Sequence, residues 1–341
     1  MDAEAPAPRR TLSVVAPVKD EEDALPVFVA RLCGALDTID VDAEIILVDD
    51  GSSDRSFELM TYLARLDDRL KVIRLSRCFG HQLAITAGLD AAEGDAVVVM
   101  DSDLQDPPEV IPALVEEWRK GFDVVHAQRV AREGEPRLRA ARASVFYRLL
   151  RRVSDVDIPV DVGDFRLIDR QALLAFRSMR ERNRYIRGMF AWVGFRQTTV
   201  EFVRSPRLSG ESKYPLRKLL ALGADGLFSF SNAPLRVALR IGFFMSGLSF
   251  LFGVFAVAAR LAGMYTVPGI ASIVVLTTFL GGLQLTLIGI QGEYVARIYD
   301  EVKRRPLYLV SETQGFAREH LQGLDVSRRS TERTAPVARI D

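Results

Sequence analysis

Ala96-Val97-Val98-Val99-Met100-Asp101-Ser102-Asp103-Leu104-Gln105-Asp106-Pro107-Pro108-Glu109 is the stretch on which the fold turns. Its five leading apolar residues predict a strand buried on both faces, as in a parallel sheet covered by helices. In an extended chain residues i and i+2 point the same way, so Asp101 and Asp103 present two carboxylates on one side of the strand's end. That arrangement suits a hard divalent cation, Mg²⁺ or Mn²⁺, whose oxygen ligands are typically one or two carboxylates completed by substrate phosphates and water. An Asp-x-Asp pair alone is weak evidence and is more readily read as turn or cap residues, so its surroundings decide. Immediately downstream, Asp106, Pro107 and Glu109 have the pattern of a helix start, and Asp106 is expected to be an N-cap.

Working outward, Leu12 to Ala16, Glu44 to Val48, Lys71 to Leu75 and Asp123 to Ala127 are further short apolar runs with polar or Pro/Gly borders, and read as buried strands. Between them, Leu25, Phe28, Val29, Leu32 and Leu36 form one helical stripe, and Phe57, Met60, Leu63 and Leu66 another. The alternation predicts an α/β domain with a mostly parallel sheet. Ligands of such sheets bind beyond the carboxyl ends of the strands, and those ends are acidic here. Asp49 and Asp50 end the second strand, where carboxylates can recognise a base or ribose, while Asp54 is expected to cap the next helix. Val162-Gly163-Asp164-Phe165-Arg166-Leu167 adds another acid at the start of the domain's second half. His81 opens a helix, and two readings stay open for it: a residue near a diphosphate, or a polar surface residue.

Forty-five Lys and Arg balance forty-five Asp and Glu, which gives no overall charge for holding a nucleic acid, so electrostatic partners must be met by local patches. Cys33 and Cys78 lack partners at metal-ligand or disulfide-framework spacing, and fit a reducing compartment. The first eleven residues contain no apolar core of a secretory signal, and residues 1–10 are expected to be disordered.

Ile241 to Ala259 is a run of 19 residues without a charge, and 32 more follow from Leu261 to Gly292. At about 1.5 Å per residue the first run spans roughly 28 Å, close to the hydrocarbon thickness of a bilayer. Two transmembrane helices, about 238–260 and 267–292 within a 236–296 segment, are expected, joined by a turn at Tyr265 to Pro268. Basic residues Arg217, Lys218, Arg236 and Arg240 precede them and Arg297, Lys303, Arg304 and Arg305 follow, which predicts that both ends are cytoplasmic. Residues 215–235 mix leucines with charges and are expected to form a helix at the interface. The tail, 297–341, is polar and irregular after Ser311 and is assigned no fold.

Together the segments Val15 to Glu22, Asp49 to Asp54, Asp101 to Glu109, Gly163 to Leu167 and Arg207-Leu208-Ser209-Gly210-Glu211-Ser212-Lys213-Tyr214 resemble the family-2, GT-A-fold polyprenyl-phosphate glycosyltransferases. These include dolichyl-phosphate mannose synthase and the bacterial undecaprenyl-phosphate glucosyltransferases. The resemblance runs from about Leu12 to Leu307. Asn183-Arg184-Tyr185-Ile186-Arg187-Gly188 and Ala191-Trp192-Val193-Gly194-Phe195 are most similar to the glucosyltransferase branch. The resemblance implies a catalytic domain over 11–214. It places Pro17, Glu21, Asp50 and Asp101 at the nucleotide sugar, and Asp101, Asp103 and Gln105 around the metal. It implies Asp103, Asp164 and Arg207 as catalytic residues, and Arg129, Arg207, Ser212 and Lys213 as the grip on the acceptor phosphate. Arg139, Arg142 and Ser144 are further basic-segment candidates, with contact to anionic lipid the equal alternative. Lys19-Asp20 and Cys78 depart from residues common in the family.

The implied reaction is inverting transfer of a hexose, with UDP-glucose favoured as donor, to a polyprenyl phosphate such as undecaprenyl phosphate at the inner membrane. GDP-mannose is the alternative donor. A phosphate monoester is largely dianionic at neutral pH, so the acceptor needs no strong general base. Asp164 is left with two readings, orienting the acceptor or taking a residual proton. Tetramers in relatives make a homo-oligomer the expectation. The absent Gln-x-x-Arg-Trp motif argues against a processive polysaccharide synthase, and the absent Gly-x-Gly-x-x-Gly and Walker motifs argue against dehydrogenase and P-loop chemistry. A catalytically silent scaffold that binds nucleotide sugar is the rival from another class.

Overall fold

The computed structural model describes residues 10–129, 162–203, 233–262 and 270–316. The chain divides into two compact units, one of Met1–Tyr147, Val156–Pro215 and Arg305–Asp341, the other of Arg148–Asp155 and Leu216–Arg304.

The first unit is a sheet with helices between its strands. In chain order it holds β1 (Thr11–Val18), α1 (Leu25–Leu36), β2 (Asp42–Asp49), α2 (Ser56–Leu63), β3 (Leu70–Leu75), α3 (His81–Ala91), β4 (Ala96–Val99), α4 (Ile111–Arg119), β5 (Val124–Arg129), β6 (Val162–Asp169), α5 (Arg170–Ser178), α6 (Ile186–Val193) and β7 (Gln197–Phe202). The apolar runs become strands because their Val, Ile and Leu side chains are buried on both faces: Val14, Val15, Ile45, Ile46, Val97 and Val98 are all fully inaccessible. The stripe on α1 packs inward as its spacing requires, with Leu25, Phe28 and Leu32 fully buried. α2 stops at Leu63, so Leu66, expected on its apolar face, lies beyond the helix and is 67% exposed.

Eight strands lie in the order β7-β5-β6-β4-β1-β2-β3-β8, where β8 is Val310–Gln314. β4, β1, β2 and β3 are mutually parallel, whereas β6 runs antiparallel to both β4 and β5. The chain passes from β1 outward to β2 and β3, then returns to place β4 on the other side of β1. The crevice at the carboxyl ends of β1 and β4 is therefore a topological switch point, where open α/β sheets bind ligands. Because β6 is antiparallel to β4 with Val99 opposite Arg166, its amino end enters the same crevice, and extending that register sets Asp164 beside Asp101.

β8 corrects the expectation of a tail without structure. Residues 310–314 pair antiparallel with β3 and cover what would otherwise be an open sheet edge. Tyr308, buried just before this strand, donates its hydroxyl to Asp90 Oδ2 at 2.8 Å, which ties the segment to the end of α3.

The second unit contains two long helices, α7 (Ala233–Leu261) and α8 (Ile270–Val302). α7 includes one segment long and apolar enough to cross a membrane, Leu235–Phe255, with a mean hydropathy of 1.8. Its large side chains face outward, Phe243, Phe244 and Phe250 each at least 70% exposed, as suits an apolar surrounding rather than water. α8 continues ten residues past the uncharged run, carrying a Glu293–Arg297 pair one turn apart at 2.9 Å. The turn expected at Tyr265 to Pro268 and nearly all of the interfacial segment lie outside the described residues.

Candidate active site

Three strand ends and one helix start build the crevice. β1 contributes Pro17, whose carbonyl accepts the Ser102 hydroxyl at 2.9 Å, a bond that stitches the loop after β4 to β1 across the switch point. That loop holds both carboxylates of the Asp-x-Asp pair. Leu104 within it is left-handed, with φ of 61°, a conformation that costs a β-carbon-bearing residue on the order of 1 kcal/mol or more. Burial of Leu104 and an Asp103 Oδ1 that accepts the Gln105 N–H at 3.1 Å hold the turn.

Asp101 is the most electrostatically burdened group in the crevice. Burial pushes its carboxyl up to about 6; His81 opposes the rise, and the nearby carboxylates of Asp106, Asp164 and Asp103 add to it. Its Oδ1 is buried without a hydrogen-bond donor, with His81 Nε2 3.4 Å away. An orphaned carboxylate oxygen surrounded by three more carboxylates fits a divalent cation. Among the described residues, no group of three His, Cys, Asp or Glu is arranged to enclose one. Gln105, 7% exposed, lies in the same loop.

Asp106 is not an N-cap. Pro107 occupies the cap position of the short turn Pro108–Val110 with no side-chain cap bond, and the buried Asp106 carboxylate instead pairs with Arg129 Nη2 at 3.3 Å. The two prolines carry the helix start, leaving the acid free to turn inward. Arg129, expected at the acceptor phosphate, ends β5 and lies against Gly163, where a β-carbon would come within 2.8 Å of its guanidinium. Asp54, expected to cap α2, stands one residue before the cap position, which Arg55 holds with no side-chain cap bond; its carboxylate still accepts the Ser56 N–H at 2.9 Å and the Glu22 N–H at 3.1 Å.

The acids after β2 organise a loop. Asp50 Oδ1 accepts the Phe79 N–H at 2.7 Å, and Oδ2 accepts the Gly80 N–H at 3.0 Å and the Cys78 thiol at 3.2 Å. Gly51, at φ 69°, passes so close to Arg77 and Cys78 that a β-carbon would sit 2.8 Å from their backbone. Asp49 is taken up by Arg74 at 3.3 Å and the Ser52 N–H at 2.9 Å. Glu21 donates its N–H to Ser56 Oγ at 2.9 Å, and its carbonyl accepts from Leu25 at the start of α1. The loop so fixed delivers His81 as the first residue of α3.

His81 is the residue on which the sequence left two readings, and the structure places it in the crevice: its Nε2 lies 3.3 Å from Asp164 Oδ2 and 3.4 Å from Asp101 Oδ1. Burial disfavours its charged form, but the two carboxylates outweigh this and raise its pKa. Asp164 is 4% exposed and held well below the ordinary carboxylate range: burial opposes its charge, but His81, Arg187 and Arg166 more than offset it. Arg166 and Gln82 carried no expected role, and Arg187 was only a marker of the glucosyltransferase branch. The legible signal for Arg166 was an arginine inside an otherwise apolar strand, since Arg is almost never fully buried unless paired. Arg207, Ser212 and Lys213, as well as Arg139, Arg142 and Ser144, lie outside the described residues.

The sequence model of glycosyl transferase family 2 matches residues 13–176. The chain is 45% identical over 309 residues to the glycosyltransferase YkcC of Bacillus subtilis (strain 168), covering 91% of this chain and 96% of that protein. It is 41% identical over 302 residues to the bactoprenol glucosyl transferase of Shigella phage SfII, covering 89% of this chain and 98% of that one. Among solved structures, glucosyl-3-phosphoglycerate synthase from Mycobacterium tuberculosis, crystallised with Mn²⁺, uridine diphosphate and phosphoglyceric acid, matches at 21% identity with a TM-score of 0.46, covering 64% of this chain and 76% of that one. A GT-A sheet with an acidic switch-point crevice, and identity of this extent along nearly the whole length of both relatives, make this chain a member of glycosyl transferase family 2.

Proposed function

We propose that this protein transfers glucose, with inversion, from UDP-glucose to a polyprenyl phosphate at the cytoplasmic face of a membrane. The observation that carries the reading is the 41% identity, across 98% of its length, to a protein named bactoprenol glucosyl transferase. The crevice chemistry agrees with it. Asp101 and Asp103, with Gln105 beside them, would hold Mg²⁺ or Mn²⁺, which supplies positive charge against a diphosphate leaving group when bound. The Asp50-organised loop sets His81 and the start of α3 beside that position. The acceptor's phosphate oxygen is already anionic at neutral pH, so the residues have to align two anions rather than create a nucleophile. The test is purified full-length protein in lipid discs with radiolabelled UDP-glucose and undecaprenyl phosphate. Radiolabel is expected in the lipid fraction and to require Mg²⁺ or Mn²⁺; transfer from GDP-mannose in preference would overturn the donor assignment.

The membrane arrangement is proposed on chain parity. Residues 310–314 hydrogen-bond to β3, so they share one side of any membrane with the rest of that sheet, and the chain between must cross an even number of times. With α7 as one crossing, α8 supplies the other through Ile270 to Gly292, which carries no charge. Arg236 and Arg240 before the pair and Arg297, Lys303, Arg304 and Arg305 after it favour a cytoplasmic sheet by the positive-inside rule. In cells carrying Cys33→Ser and Cys78→Ser, an impermeant maleimide should label Thr266→Cys from outside and Ser327→Cys only after permeabilisation. External labelling of Ser327→Cys would exclude the hairpin.

A further inference from the structure

Asp164 sits in the crevice beside Asp101, yet both oxygens of its carboxylate are already engaged by neighbouring side chains. Arg187 grips it at two points, Nε to Oδ1 at 3.0 Å and Nη2 to Oδ2 at 3.3 Å. His81 Nε2 and Gln82 Nε2 each approach Oδ2 at 3.3 Å, and Arg166 Nη2 stands 3.7 Å from Oδ1. The surrounding groups are themselves fixed. Gln82 Oε1 accepts the Ile186 N–H at 2.9 Å, which locks the start of α3 to the start of α6. Arg166, with no exposed surface, donates to the Gly163 carbonyl at 2.7 Å and lies over the Phe190 ring, which stacks on Phe176 at 4.7 Å. A carboxylate 3% exposed, with Oδ2 within 3.3 Å of three side-chain nitrogens and Oδ1 held by Arg187 and backed by the Arg166 charge, offers a bound acceptor no open face for a proton. Its partners differ: Arg187 keeps 34% and His81 44% of their side-chain surface.

We propose that Asp164 is a positioning residue rather than a proton acceptor, and that it fixes Arg187 as the catalytic cation that meets a phosphoryl oxygen. The inference rests on the sugar-phosphate transfer proposed above and changes the role expected of its central acid. In that reaction an anionic acceptor oxygen forms the bond to the sugar's anomeric carbon as the bond from that carbon to the diphosphate oxygen breaks. The electron pair leaves on the diphosphate, and no proton changes hands. Two anions must meet, so a second acid acting as base would oppose the step, whereas a guanidinium held by a buried counter-ion assists it. Arg166 secures Asp164 from beneath, so Asp164 reaches the substrates only through Arg187 and His81.

The test compares Arg187→Ala, Arg187→Lys, Asp164→Asn and the double variant Asp164→Asn/Arg187→Ala in full-length protein, each checked for an unchanged melting profile. Arg187→Ala is expected to lower turnover about a hundredfold, the order of loss when one charge-stabilising donor is removed. Guanidinium chloride at millimolar concentration should restore part of it, and Arg187→Lys should retain more than Ala. Asp164→Asn should cost little more in the Arg187→Ala background, because groups that act as a unit are not additive. A fall in affinity for UDP with Mn²⁺ would identify the diphosphate as the source of the phosphoryl oxygen; a higher KM for the lipid at unchanged UDP affinity would identify the acceptor. Losses that multiply in the double variant, absence of rescue, or an Arg187→Ala enzyme with both affinities and turnover intact would overturn the proposal. A wild-type protein inactive on UDP-glucose would sink the functional reading instead, and the role of Arg187 would then be decided by the UDP affinity alone.

Discussion

Asp103→Asn is expected to reduce sugar transfer on the order of a hundredfold or more while leaving the melting temperature nearly unchanged. The Asp103 Oδ1 that accepts the Gln105 N–H has an equivalent in the amide oxygen of Asn, so the left-handed turn at Leu104 survives. What is lost is one of the two carboxylate charges proposed to recruit the cation. Asp106→Asn provides the contrast, and the structure reverses the expectation for it. As an N-cap, Asp106 would have tolerated Asn, since the two cap about equally well. As the buried partner of Arg129, it should instead cost about 1–3 kcal/mol, below the full value for a broken buried pair because Arg129 keeps 28% of its surface in solvent. Transfer should fall far less than in Asp103→Asn. The measurements are radiolabel transfer and melting temperature for both variants, with and without Mn²⁺. An active Asp103→Asn enzyme would remove the metal from Asp103; an Asp106→Asn enzyme that melts like wild type and is equally dead would overturn the division of roles between the two acids.

The contrast between these two acids shows where local pattern suffices. β1 to β5 were legible because a strand covered on both faces must be a continuous apolar run, and each began and ended within about two residues of where the sequence put it. Asp101 and Asp103 were legible because strand periodicity alone sets their side chains on one face. Asp106 was misread because the helix-start pattern ignores what lies 23 residues away, where Arg129 offers it a buried charge. β8 was missed for a related reason: Val310-Ser311-Glu312-Thr313-Gln314 covers a sheet edge with mostly polar, half-buried side chains, and a strand held by backbone bonds leaves little hydrophobic trace. The cluster around Asp164 draws in residues up to 83 positions from it and becomes visible only when β6 turns antiparallel and sets its amino end into the crevice. Sequence spacing carries no information about such a meeting. The resemblance supplied Asp164 as a functional residue but not Arg166 or Gln82, whose roles are set by packing.

His126 should make the folded protein sensitive to mild acid. It lies on β5, 2% exposed, opposite Arg166 in the β5–β6 register, with Nε2 2.8 Å from Gln197 Oε1 of β7. Burial, and secondarily the Arg166 charge, push its pKa down to about 4, against a weaker opposing effect of the Gln197 hydrogen bond. The unfolded chain therefore takes up a proton near pH 6.5 that the folded protein refuses until about pH 4. Stability contributed by neutral His126 is complete above 6.5 and is lost progressively as pH falls from 6.5 to 4, by about 3 kcal/mol in all. Asp101, with its raised pKa, acts with the opposite sign in the same window, because the folded state binds its proton first. A comparison of wild type with His126→Gln cancels that contribution and every other group's. His126→Gln keeps a donor for Gln197 Oε1 and cannot be protonated, so its melting temperature should decline less between pH 7 and pH 4.5 than that of wild type. Parallel declines would show that the folded sheet protonates His126 at the same pH as the unfolded chain, and that the Arg166 guanidinium opposite it tolerates a second buried cation.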